Sequence, residues 1–169
     1  MKKWIAKLEL YVDKPWYPPL LAFIATIDAF LIVIPTDILL ISSVLLVPRK
    51  WISLFVWLAI GSSLSVLIIA SLTETQGLPF LLKYFPHLLQ SEMWAWSDQF
   101  MHHYGIWAIF LIALSPIMQH PMIALAGLAQ LPLAEIALMY FAGRFIKYAI
   151  VAWVTAHAPH LLKKAKVNS

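Results

Sequence analysis

Residues 104–130 read YGIWAIFLIALSPIMQHPMIALAGLAQ, an apolar block with no formal charge, broken near its middle by Pro116 and Pro121. About 20 apolar residues suffice to cross a ~30 Å hydrocarbon core, so the block is long for one span. Proline removes an i→i−4 hydrogen bond and clashes with the preceding turn. The block therefore reads as two half-helices of about 12 residues, ~18 Å each and too short to cross alone. Two such halves can enter a membrane, turn, and leave by the same face as a re-entrant hairpin. A long tilted helix with a proline kink is the competing interpretation. In the hairpin, Ser115 is expected to cap the second half and Pro116 to occupy its first helical position, where the missing N–H costs nothing. Gln119 and His120 add polar groups around the break.

Working outward, residues 17–47 repeat the pattern. ATIDAFLIVIPTDILLISSVLLVPRK (25–50) is broken at Pro35, with Thr36 as the expected cap of its second half. Each broken block precedes a long apolar stretch. The first, 51–72, runs without a formal charge; the second, 133–157, contains Arg144 and Lys147. Pro35 lies 16 residues before Trp51, and Pro116 lies 17 residues before Leu133. Hairpin plus span thus occurs twice, and one crossing between the copies would invert their topologies. Interrupted segments at corresponding places in two halves point to a transporter-like site near the midplane. The remaining segments read as interfacial: an amphipathic N-terminus over 1–16, a region over 74–103 with Trp94, Trp96 and nearby Trp107 as an aromatic belt, and a basic tail over 158–169.

Composition bounds the class. Of 169 residues, 62% are apolar and 12% charged, and mean hydropathy is +0.82. Soluble domains run near 45–50% apolar and about 25% charged. A soluble globule and a disordered chain are both excluded. The expectation is a single-domain, all-α integral membrane protein with two inverted repeats and short amphipathic interfacial helices. The net charge of +4 reports orientation and anionic headgroups, not nucleic acid. MKKWIAKLELYVDK has no small-residue cleavage site before the apolar run, so it reads as a retained cytoplasmic end. With both hairpins re-entrant, nine Lys/Arg (Lys2, Lys3, Lys7, Lys14, Arg49, Lys50, Lys163, Lys164, Lys166) share one face and Lys83 alone lies opposite. With four full crossings the ratio worsens to eight against two. The positive-inside rule favours the hairpins, with both termini cytoplasmic in a multi-pass bacterial inner-membrane protein.

Four charges fall inside apolar blocks: Asp28, Asp37, Arg144 and Lys147. Each costs at least ~2.5–3.5 kcal/mol in a membrane unless it faces a cavity or a partner. Asp28 and Asp37 are candidates for transport or proton coupling; Asp37 can also simply complement a half-helix N-terminus. Arg144 and Lys147 share a helical face and are candidates for binding phosphate or for ion pairing. His157 and His160 have no carboxylate or cysteine nearby in sequence, and the chain has no cysteine, so no metal or other cofactor is expected. Gly61-Ser62-Ser63 and Ala124-Leu125-Ala126-Gly127 read as close helix-packing stretches.

IPTDILLISSVLL (34–46), a short basic turn and AIGSSLS (59–65) resemble the first half of DedA/VTT-domain proteins, the SNARE-associated Golgi protein family. HHYGIWAIFLIALSPIMQHPMIALAGLAQLPLAEIALMYFAGRFIKYAIVAW (102–153) is similar to the YqaA-like branch: a YG start, a proline-broken hairpin, an AG, then GR-x-x-[RK]-Y. The resemblance covers about 17–157. It implies two inverted re-entrant hairpins, each followed by a spanning helix. It also implies lipid transport: flipping or scrambling of phospholipids, or recycling of a polyprenyl phosphate carrier. Asp28 and Asp37 match the family's first-hairpin acids. The family's R-F-x-P-x-x-R would fall on Ala113 and Gln119, so both second-hairpin arginines are absent here. Arg144 and Lys147 are the candidates to supply positive charge instead.

The expected function is transport of a lipid or lipid phosphate, with protons as a candidate coupling ion, membrane lipids as partners and a homo-oligomer allowed. A non-transporting scaffold or accessory subunit is the alternative. An intramembrane lipid-modifying enzyme is disfavoured: the chain lacks KxxxxxxRP and PSGH elements, a GxSG nucleophile and clustered aspartates.

Overall fold

The computed structural model describes residues 12–31, 36–84, 86–87, 90–115 and 119–167, with side chains omitted at 28–31, 84 and 158–167. The amphipathic N-terminus expected over 1–16 therefore lies almost wholly outside the described residues, as do Pro35, Pro116 and the side chains of Asp28 and His160. Among the described residues all regular structure is helical. The order is α1 (Tyr17–Leu31), α2 (Thr36–Leu46), a 3₁₀ turn (Pro48–Lys50), α3 (Trp51–Tyr84), α4 (Glu92–Tyr104), α5 (Trp107–Leu114), α6 (His120–Leu128) and α7 (Leu133–Val167). Two helical stretches, Pro48–Lys83 and Leu133–His157, are long and apolar enough to cross a membrane.

The helices form two compact units, each described by itself. The first comprises residues up to Gly61 together with Phe145 onward; the second is Ser62–Arg144. The division falls inside α3 and inside α7.

In the first unit α1 and α2 are the arms of a hairpin. Tyr17, at the start of α1, shares a 2.9 Å hydrogen bond with Ser43 in α2. Beyond the arms, Arg49 donates to the Asp13 carboxylate, and Lys50 Nζ lies 3.2 Å from Asp13 Oδ1. A straight helix over the intervening residues would separate these groups by roughly 50 Å. Their contact means the chain returns. The first arm leans on α3 at Gly61, where a Cβ would lie 2.5 Å from Ala22 Cα. Thr26 Oγ1 donates to Ala22 O (2.9 Å) and to Gly61 O (3.1 Å) across the same approach.

The second unit holds the other hairpin, α5 and α6, and helix α4. Gly143 of α7 receives α5: a Cβ there would meet Ala113 Cβ and Phe110 O at 2.7 Å. Gly127 of α6 packs against Ala70 and Thr73 of α3, with Ala70 O 2.6 Å from a Cβ position. Both small-residue stretches thus serve close packing. Helix α6 stops in a left-handed cap. Gln130 has φ 52°, its N–H bonds Gly127 O (3.0 Å), and Leu131 N–H bonds Ala126 O (3.1 Å). Pro132 then prevents continuation.

Two expectations need correction. Helix α3 does not stop near residue 72. Thr73 and Thr75 return their hydroxyls to Ile69 O and Ser71 O (2.9 and 2.8 Å), so the polar Thr-Glu-Thr-Gln run stays helical. The break comes at Gly77, with φ 64° and ψ −153°, two residues before Pro79. The backbone of α7 contains the expected span 133–157 and continues to Val167. In addition, the described arms of the second hairpin, α5 and α6, have 8 and 9 residues, not about 12.

Candidate functional site

Each hairpin break is fastened by a basic residue of helix α7 from its own unit, with a tyrosine of α7 beside it. In the first unit α2 opens at Thr36-Asp37. Lys147 Nζ donates to Asp37 Oδ2 at 2.8 Å. Next to it, the hydroxyls of Thr36 and Tyr148 are 3.0 Å apart. Lys147 is nearly buried, with 11% of its side chain exposed, against 36% for Asp37. The second carboxylate oxygen, Asp37 Oδ1, is itself buried and has no hydrogen-bond partner among the described residues. Thr36 does not act as the expected cap: it is the first helical residue, and its hydroxyl is committed to Tyr148.

In the second unit Arg144 is buried, at 5% exposure. Its Nε donates to the Tyr140 hydroxyl at 2.9 Å, and its Nη2 donates to Gln119 Oε1. The guanidinium carbon lies 5.4 Å from the Tyr140 ring centroid, within cation–π range. Gln119 occupies the N-cap position of α6 with αR backbone and no side-chain cap bond. Its amide is turned to Arg144 instead. His120 is the first residue of α6, and Pro121 follows in the first turn, where proline is tolerated. Ser115 is not the cap of the second arm. It is the C-cap of α5, and its Oγ donates back to Ile112 O at 2.9 Å. Pro121, not Pro116, is the proline of the helix start, so the cap shifts to residue 119.

Of the expected site residues, Asp37 and Lys147 come together in the first unit, and Gln119 and Arg144 in the second. The spacing of Arg144 and Lys147 did not reveal Tyr140 and Tyr148, which are fully buried: Tyr148 meets Thr36 at the first break, and Tyr140 braces Arg144 within α7. A signal was present. A tyrosine inside an apolar span needs a partner for its hydroxyl, and Tyr140 lies at i−4 from Arg144. Among the described residues no group of three or more His, Asp or Glu side chains could hold a metal ion.

Chemically, the first break is a compensated ion pair next to a hydroxyl pair. The second is a cation held through neutral acceptors. Either arrangement fixes a polar group inside an apolar body without leaving the hairpin loose. Comparison with protein-family models, with curated proteins and with solved structures gives no match for this chain.

Proposed function

We propose that the chain is a multi-pass membrane protein that moves a lipid or lipid phosphate across the bilayer, in the manner of the DedA/VTT proteins it resembles. The observation that carries this is the first hairpin. Its ends meet at Asp13, Arg49 and Lys50, while its break carries Asp37 to Lys147 on a long apolar helix. Charge is thereby taken into the middle of an apolar body by a segment that enters and leaves at one end. Large apolar side chains lie exposed on every long element, among them Phe23, Ile38, Ile52, Leu138 and Ile150, as hydrocarbon solvent allows and water does not. The basic excess around Arg49 and Lys50 supports a cytoplasmic placement for that end. Arg144 offers a planar fork suited to phosphate oxygens, and Lys147 a compact point charge. Protons are the candidate coupling ion through Asp37.

One observation favours the scaffold alternative: Asp37, Gln119, Arg144 and Lys147 all have protein partners. Proteoliposomes loaded with fluorescent phospholipids of several headgroups decide between the two. Transport predicts loss of transbilayer asymmetry above empty vesicles, abolished by Lys147→Met at unchanged protein content. No lipid movement with any headgroup, including a polyprenyl phosphate, leaves the scaffold. Topology is tested separately with single cysteines: position 50 should label from the cytoplasmic side and position 83 from the opposite side.

A further inference from the structure

Helix α4 divides its circumference into three sectors. At about 100° per residue, Trp94, Ser97 and Met101 share one side. Ser97 is fully buried, and Trp94 packs against the cluster of Phe80, Leu81 and Ala124. That sector belongs to the protein. On one flank Trp96, Phe100 and Tyr104 follow at i, i+4 and i+8 as a ladder of rings. Centroids are 4.8 Å apart for the first pair and 4.6 Å for the second. Trp96 and Tyr104 are exposed, at 38% and 45%. On the other flank Asp98, Gln99, His102 and His103 line an open polar depression, with His102 Nδ1 3.6 Å from Asp98 Oδ1.

A surface helix on a soluble protein needs two sectors, one apolar and packed, one polar and wet. The exposed aromatic ladder needs a third environment. Tryptophan and tyrosine rings concentrate where hydrocarbon meets water. The charge of the segment narrows the partner. Residues 84–106 contain no Lys or Arg, but Glu92 and Asp98. The attraction of basic segments to anionic lipid is therefore missing, and the two carboxylates favour headgroups that end in an ammonium.

We infer that α4 lies in the plane of the bilayer surface on a zwitterionic leaflet, with Trp96, Phe100 and Tyr104 at the acyl boundary and Asp98 toward the headgroup ammonium groups. This rests on the membrane proposal above. The helix is built for the position: Ser91 accepts from Trp94 N–H to start it (3.2 Å), and Gly105, at φ 56°, ends it just before α5 begins.

The test uses the full-length protein in phosphatidylcholine nanodiscs, with single spin-labelled cysteines at 96, 98, 100, 102 and 104. The ratio of collision with oxygen to collision with a water-soluble nickel chelate is expected to be higher at 96, 100 and 104 than at 98 and 102. Replacing zwitterionic lipid with phosphatidylglycerol is expected to lower it at the ladder. Because a label at 96 replaces the tryptophan, quenching of Trp96 by brominated lipid is read separately, as wild type minus Trp96→Phe, and should be strongest for bromines near the headgroup. Equal ratios on both flanks, exclusion of both reagents from the ladder by a covering protein or second copy, or deeper seating with anionic lipid would each overturn the inference. Labels at 146 and 150, exposed apolar positions of α7, provide the control. Oxygen-rich signals there with a water-bathed ladder remove only this inference; nickel access at 146 and 150 removes the membrane proposal itself.

Discussion

At the break of the first hairpin a carboxylate meets an ammonium, Asp37 to Lys147 at 2.8 Å. At the break of the second, a guanidinium meets an amide and a phenol, Arg144 to Gln119 and Tyr140. Both fasten a short helix to α7, but the tyrosine bonds across to the hairpin only in the first, Tyr148 to Thr36; in the second, Tyr140 braces Arg144 from within α7. They differ in what remains when one partner is removed. Removing Lys147 strands a carboxylate that already has one unpartnered oxygen. Removing Gln119 leaves Arg144 bonded to Tyr140. The first fastening depends on charge balance, the second on the shape of the fork. Hairpin breaks of like architecture therefore should not respond alike to like substitutions.

The largest effects are expected where the two hairpins should agree. Gly61 and Gly143 each receive a first arm at distances that leave no room for a Cβ. Overpacking costs ~1–3 kcal/mol for a methyl-sized excess and more beyond it. Gly61→Leu and Gly143→Leu should both abolish a cooperative thermal transition in detergent. A stable Gly143→Leu variant would show that α5 is seated differently from α1.

Next come the charges. Breaking a buried pair costs ~3–5 kcal/mol, and the exposure of Asp37 lowers this to ~1–3 kcal/mol for Lys147→Met. Adding Asp37→Asn should recover most of the loss. Lys147→Arg should be tolerated. Arg144→Lys should not be: a single ammonium cannot reproduce the divergent Nε and Nη2 bonds, and losing one hydrogen bond to a charged group costs ~1.5–3 kcal/mol. Unfolding midpoints of the six proteins, wild type included with the Arg144 and Gln119→Ala variants, separate the charge-balanced break from the fork-shaped one. Rescue of Arg144→Lys by an acid at 119 would erase the distinction.

The tyrosines should have smaller and equal effects. Tyr140→Phe and Tyr148→Phe each remove one hydroxyl bond, ~0.5–1.5 kcal/mol. A marked difference in their midpoints would show that one hydroxyl carries more than a single bond.

The smallest effect lies at the open end of the first hairpin. The hydrogen bond from Lys50 holds the Asp13 carboxyl below its usual value; desolvation opposes it, and Arg49 adds further lowering. A depressed folded-state pKa stabilises above the unfolded value and is lost as pH falls through the folded value. Wild type should be slightly more stable than Asp13→Asn at neutral pH, and the gap should close on acidification below the ordinary carboxylate range. A gap that widens in acid would contradict the pairing.

How much of this was legible beforehand follows from local chemistry. Pro35, Pro116 and Pro121 announce broken blocks, because proline leaves a mark no neighbour can hide. The charges of Asp37, Arg144 and Lys147 inside apolar blocks announce partners, because unpaired charge in apolar surroundings is costly. The caps were misassigned for a physical reason. Ser115 and Thr36 have hydroxyls that suit a cap, but Ile112 O and Tyr148 compete for them at long or short range, and sequence does not rank such competitors. The continuation of α3 past Thr73 was hidden because the charge-free run ends at Glu74, while the helix is carried on by threonine hydroxyls that return to the preceding turn. The partners at each break were hidden most deeply, since Lys147 is 110 residues from Asp37 and no spacing rule reaches that far.

That separation bears on the order in which the molecule can be assembled during synthesis. The second unit is continuous in sequence, and Gln119 needs only 25 further residues before Arg144 exists to receive it. The closure of Asp13 with Arg49 is almost as local, at 36 residues. The pair of Asp37 with Lys147 must wait for 110 further residues. Chains fold as they emerge, N-terminal parts first, and contacts of high sequence separation come last. The first hairpin therefore spends most of its synthesis folded at its mouth and open at its tip. Its acid meets its base only when α7 arrives, and the same helix brings Arg144 to Gln119, so both breaks are fastened by one late segment.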